Sequence, residues 1–179
     1  MLQIEVPGQE LFNDETQEFI YTKTRTLNLE HSLISLSKWE SKWAIPFLKK
    51  RDLTADQTID YIRFMTIDKN VDDNVYKCLT QKNLDDVLAY IEKPMTATWF
   101  NDRDNSPSRE VITSEIIYYY MIELGIPFEC QKWHLNRLMT LIKVCNLKRS
   151  GGKKMKPQEI LNQNRALNEQ RKRQLNTRG

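Results

Sequence analysis

The chain of 179 residues carries 27 Lys/Arg against 24 Asp/Glu, a net charge of +3, with 40% hydrophobic and 28% charged residues, which suits one folded domain plus an extension. Three cysteines without regular spacing argue against a disulfide framework and for a reducing compartment. No run approaches the ~18 apolar residues of a membrane-spanning helix, and the opening MLQIEVPGQELF lacks the basic and apolar regions of a secretory signal, so a soluble protein without membrane contact is expected.

The charge is unevenly spread. Residues 148–179 hold ten Lys/Arg against Glu159 and Glu169, a balance of +8 that leaves −5 on residues 1–147. The reading is a mildly acidic globular domain over 1–147 and a basic arm over 148–179, with Gly151-Gly152 as the linker.

In chain order, Leu2, Ile4 and Val6 alternate with polar neighbours and meet Pro7-Gly8, the pattern of a half-buried strand ended by a turn. Phe19 and Tyr21, then Leu27 and Leu29, flank the polar run Thr22–Thr26 and predict a hairpin. Leu33, Leu36, Trp39 and Trp43 recur at helical spacing up to Pro46. Thr54-Ala55-Asp56-Gln57 is a capping-box sequence, followed by Ile59, Ile62 and Met65 on one helix face.

A short helix is expected over Val71–Thr80, and another after Asn83, with Leu84, Val87, Leu88 and Ile91 buried. Residues 95–109 read as a loop. Ile112, Ile116, Tyr119 and Tyr120 mark a helix to Gly125, and Trp133, Leu138, Leu141, Ile142 and Cys145 a continuous one from Glu129 to Leu147. A last helix, Gln158 to Leu175, has a thin apolar seam and should be marginal until it meets a partner. The fold class is therefore α+β, mainly α: a small N-terminal antiparallel sheet or hairpin, a helical bundle and a flexible basic C-terminal helix.

Chemistry-bearing patterns are weak. Cys130 and His134, four apart on the expected helix, share a face, but no second pair lies at zinc-site spacing. Asp68-Lys69-Asn70-Val71-Asp72 begins like a calcium loop and then lacks its glycine and terminal glutamate. No phosphate-binding glycine motif and no nucleophile–base pattern occurs. Tyr118-Tyr119-Tyr120 cannot form one stacking platform, because consecutive helical residues point about 100° apart. The expectation is a protein that is not an enzyme, with no cofactor and no metal. The basic arm suits nucleic acid, a protein partner or mere solvation, and charge alone does not choose.

Three segments carry a resemblance: residues 31–43 (HSLISLSKWESKW) with Pro46-Phe47-Leu48, residues 126–138 (IPFECQKWHLNRL), and residues 164–176 (NRALNEQRKRQLN). Together they resemble the tail assembly chaperones of long-tailed bacteriophages, small proteins encoded near the tape-measure gene. The resemblance implies a virion-assembly protein that binds the tape-measure protein and recruits tail-tube subunits, acting in the host cytoplasm, with the virion as the other location. Alternatives are a structural virion component, such as a connector or tail-completion protein, and a nucleic-acid-binding regulator; self-association is left open. Candidate contact groups are Trp39, Trp43, Tyr118 and Trp133 as apolar groups and Arg165, Arg171, Lys172 and Arg173 as electrostatic ones.

Overall fold

A computed structural model of the chain describes residues 1–13, 17–49, 52–98, 100 and 111–149. The chain divides into two units, Met1–Lys143 and Val144–Gly179, so the division falls before the charge break. The arm helix expected over 158–175 lies outside the described residues.

Strand β1 (Leu2–Val6) pairs antiparallel with β4 (Arg25–Leu29), and β2 (Glu10–Asn13) with β3 (Glu18–Tyr21). The expected hairpin between the Phe19–Tyr21 and Leu27–Leu29 segments does not form. Each of those strands instead pairs with an earlier one, giving a nested ribbon in which Leu2 faces Leu29 and Phe12 faces Phe19. The threonines explain the joint between its halves. Thr24 Oγ1 accepts from Gly8 N at 3.1 Å, and Thr22 both receives Gln9 N on its hydroxyl and donates that hydroxyl to Gln9 O.

Gly8 is required by this joint, because a Cβ there would lie 2.5 Å from Thr22 O and 2.9 Å from Thr24 N, both backbone atoms. Gly8→Ala is expected to cost about 1–3 kcal/mol through overpacking, read as a lower urea midpoint with unchanged slope. An unchanged midpoint would mean that the ribbon opens freely at this point.

Helix α1 (Leu33–Trp43) starts at a Ser32–Ser35 capping box and ends with Ala44 in the left-handed region, φ 52°. Helix α2 (Ala55–Met65) starts at the Thr54–Gln57 capping box that the sequence indicates. Helix α3 is shorter than expected, Asp73–Lys77, because Asp72 caps it and Val71 stays outside. Helix α4 (Gln81–Ile91) begins earlier than expected: Thr80 and Asn83 form its capping box, so Asn83 lies inside the first turn. That phase buries Val87 and Tyr90 and leaves Leu88 exposed, contrary to the expected stripe.

Helix α5 (Ser114–Leu124) ends at Gly125 with φ 66°. The continuous helix expected from Glu129 is broken into a 3-10 segment (Phe128–Lys132) and α6 (Leu135–Arg149). The break has a tertiary cause: Trp133 is extended, Ser32 and His134 form an isolated β-bridge, and Leu135 N donates to His31 O at 2.7 Å. Cys130 and His134 therefore do not share a helix face.

The inner face of β1–β4, with Ile4, Val6, Leu27 and Leu29, packs with Trp39, Tyr61, Ile62, Met65, Val75, Tyr76, Val87 and Tyr90 into one cluster. Each fully buried aliphatic side chain contributes about 1.5–3 kcal/mol. Leu33, Leu36, Ile117, Met121, Leu135 and Leu138 are also wholly buried, and α1 packs against both α2 and α5. The chain is mainly helical with an N-terminal antiparallel sheet, an α+β fold.

Candidate functional site

The polar residues of a kind that carries chemistry are largely occupied by the fold. Both histidines are buried, and their rings meet edge-on at 5.0 Å. His31 Nδ1 lies 2.6 Å from the Tyr61 hydroxyl. His134 Nε2 must donate to the Tyr90 carbonyl at 3.1 Å, since a carbonyl only accepts, and its Nδ1 accepts from Asn136 N at 3.3 Å. His134 thus caps α6 in the role usually taken by Ser, Thr, Asp or Asn. Burial, reinforced by the neighbouring ring of His134, lowers the pKa of His31 to about 3. Burial also lowers His134, against opposite pulls from its Tyr90 bond and Glu30. Both rings are neutral at pH 7, and burial pushes the Tyr61 and Tyr90 phenols up.

Glu40 is buried as well. Its Oε1 accepts from Phe47 N at 2.9 Å and its Oε2 from Ser114 N at 2.7 Å. Thr113 provides no side-chain cap for α5, so the carboxylate of α1 takes that place. A cavity of about 210 Å³ beside it is lined by Glu40, Ala44, Ile45, Pro46, Thr113 and Glu115. Asp68 accepts from Asn28 N and Nδ2, bonds that hold its carboxyl below the usual range, while Asp72 caps α3. The calcium-like run is thus two pieces of fold support. Among the described residues no group of three or more His, Cys, Asp or Glu is placed to hold a metal ion, and no helix is long and apolar enough to cross a membrane.

Of the candidate contact groups, Trp39 is corrected: it is wholly buried, with Nε1 donating to Gln57 O at 2.9 Å, and so belongs to the core. Trp43 is half-buried against Trp39, and its Nε1 donates to Asp60 Oδ2 at 3.1 Å. Trp133 is half-buried with the Arg137 guanidinium 4.0 Å from its ring centre, and Tyr118 donates its hydroxyl to Gln131 Oε1 at 2.9 Å. Arg165, Arg171, Lys172 and Arg173 lie outside the described residues.

Two apolar surfaces stand out instead. On α5, Tyr119 and Ile122 are 57% and 65% exposed, and Phe128, 52% exposed, lies beside the half-buried Tyr118 at 6.4 Å between ring centres. Glu115, Glu123 and Glu129 lie exposed around them, and α5 contains no Lys or Arg. The second surface is one face of the β2–β3 ribbon, where Phe12, Phe19 and Tyr21 are exposed and the Phe12 and Phe19 rings meet at 5.1 Å.

Tyr119, Ile122 and Phe128 are not among the contact groups expected from the sequence. The available signal was α5 itself, apolar on nearly every face, more than one packed neighbour can cover. Comparison with family models, with curated proteins and with solved structures gave no match.

Proposed function

We propose that the chain is a non-catalytic phage tail assembly chaperone that binds apolar helix faces of the tape-measure protein and recruits tail-tube subunits around it. The observation that carries the reading is the α5 surface of Tyr119, Ile122 and Phe128 with its acidic border. Contiguous exposed apolar side chains rimmed by polar ones mark interaction sites, and an amphipathic helix of a partner can lay its apolar face on them. The occupation of the buried histidines and Glu40 by structural hydrogen bonds agrees with a binding role. In this reading the basic residues 148–179 add electrostatic attraction to acidic partner segments.

Co-expression with tape-measure protein tests it. The intact chain should keep that protein soluble, and the double substitution Tyr119→Ser, Ile122→Lys should send it to the pellet while leaving the chaperone's own melting temperature within a few degrees. Failure of the intact chain to bind or solubilise tape-measure protein would overturn the reading.

A further inference from the structure

The β2–β3 ribbon differs from the β1–β4 pair in what covers its edges. The β1 edge is capped where Asn83 Nδ2 donates to Glu5 O at 3.0 Å, and the β4 edge where Ile67 N donates to Asn28 O at 2.9 Å and Asn28 N donates to Asp68. Among the described residues neither β2 nor β3 has a second strand beside it. The register shows which groups point outward. Thr22 N donates to Gln9 O, so Gln9–Thr22 is a hydrogen-bonded pair, and alternation along an antiparallel ladder makes Leu11–Ile20 another. Glu10–Tyr21 and Phe12–Phe19 are then the non-bonded pairs, whose own N–H and C=O groups face the outer edges.

Those same residues form the exposed aromatic face. Phe19 and Tyr21 on β3 are 59% and 73% exposed, more than Phe12 on β2 at 47%. Leu11, on the opposite face, packs against the core. The charge on the two strands is one-sided: β2 and β3 carry Glu10 and Glu18 and no Lys or Arg. Glu10 lies on the aromatic face directly opposite Tyr21, and its carboxylate pushes the Tyr21 phenol up.

We propose that the β3 edge takes up an extended, arginine-bearing segment of a separate polypeptide by strand addition. The outward N–H and C=O groups of Phe19 and Tyr21 pair with the incoming backbone. Every second side chain of that strand then falls beside Phe19 and Tyr21, where a guanidinium meets ring faces and the Glu10 carboxylate. This site is separate from the α5 surface and goes beyond the chaperone reading, which concerns a helical partner.

The test uses the full-length chain and a fluorescent synthetic peptide alternating arginine with threonine, with anisotropy as the readout. Two further peptides carry backbone N-methyl groups, one on the arginines and one on the threonines. Only one set of alternate N–H groups faces the protein in strand addition, so one methylated peptide should lose binding by about tenfold or more while the other binds like its parent. Phe19→Ser with Tyr21→Ser should weaken the parent peptide to a similar degree, and Ile122→Lys should leave it unchanged. Equal binding of both methylated peptides, or no binding of the parent at low salt, would overturn the proposal without touching the helix-binding reading. The methylated peptides leave the protein unaltered, so the result does not depend on a variant folding.

Discussion

Trp39→Ala is expected to destabilise the protein by about 3–5 kcal/mol, the range for removing a large aromatic from a packed core. The indole is wholly buried, lies 5.1 Å from the Phe47 ring and 6.3 Å from Trp43, and donates Nε1–H to the Gln57 carbonyl of α2. Its loss opens a cavity between α1 and α2 and also leaves a buried carbonyl without its donor. Domains of this size are stable by about 5–15 kcal/mol in total, so the urea midpoint should fall by a large fraction. Trp39→Phe should cost less, because a ring remains and the main loss is one hydrogen bond, about 0.5–1.5 kcal/mol. A Trp39→Ala protein with a native midpoint but weakened partner binding would restore Trp39 as a contact residue and contradict its place in the core.

Acid should destabilise the fold well above the range in which most carboxylates titrate. His31 and His134 are held neutral in the folded chain, with His31 lowered from 6.5 to about 3. The unfolded chain therefore binds more protons, and stability is full above about pH 6.5 and falls as the pH drops through and below that value. Each unit of depression corresponds to about 1.4 kcal/mol, so the loss reaches several kcal/mol as the pH approaches 3.

The groups facing the pair offer little relief. Tyr61, the Tyr90 carbonyl, Asn136 N, Glu30 and the Met1 amine, itself 2.9 Å from Glu30, surround the rings. A proton on His134 Nδ1 would also break the Asn136 bond and put a cation at the start of α6, where the helix dipole disfavours it. Urea midpoints measured from pH 7.5 to 4.5 should decline steadily. In His134→Asn, which keeps a capping side chain but cannot titrate, the slope should be shallower. Asp68 adds its own loss only lower, as the pH falls below its ordinary 3.8. A flat profile between pH 7 and 5 would show that the pair takes up protons without strain.

The elements legible in the sequence were those with local causes. The Thr54–Gln57 box starts α2, Gly125 ends α5, and alternation at Leu2–Val6 makes a strand, because each depends on neighbours within one turn or one pleat. The errors share a different cause. The ribbon's register depends on Thr22 and Thr24 meeting Gly8 and Gln9 across the chain, and the break before α6 depends on Ser32 and the His31 carbonyl. Each pair of partners lies 13 or more residues apart, beyond one turn or one pleat.

The burial of Trp39 was hidden for a related reason. A tryptophan at helical spacing looks the same whether its face turns to a neighbouring helix or to solvent. Trp39 faces α2 and is lost to the core, while Tyr119 and Ile122 face away from α1 and remain exposed.

By itself the sequence determined the mainly helical class, the short N-terminal strands, the cap of α2 and the division of charge between residues 1–147 and 148–179. Tertiary structure decided which strands pair, that both histidines and Glu40 are committed to buried hydrogen bonds, and which apolar residues stay in contact with water. Capping boxes, periodicity and composition are written in adjacent residues, whereas burial is a property of what the rest of the chain brings to a face.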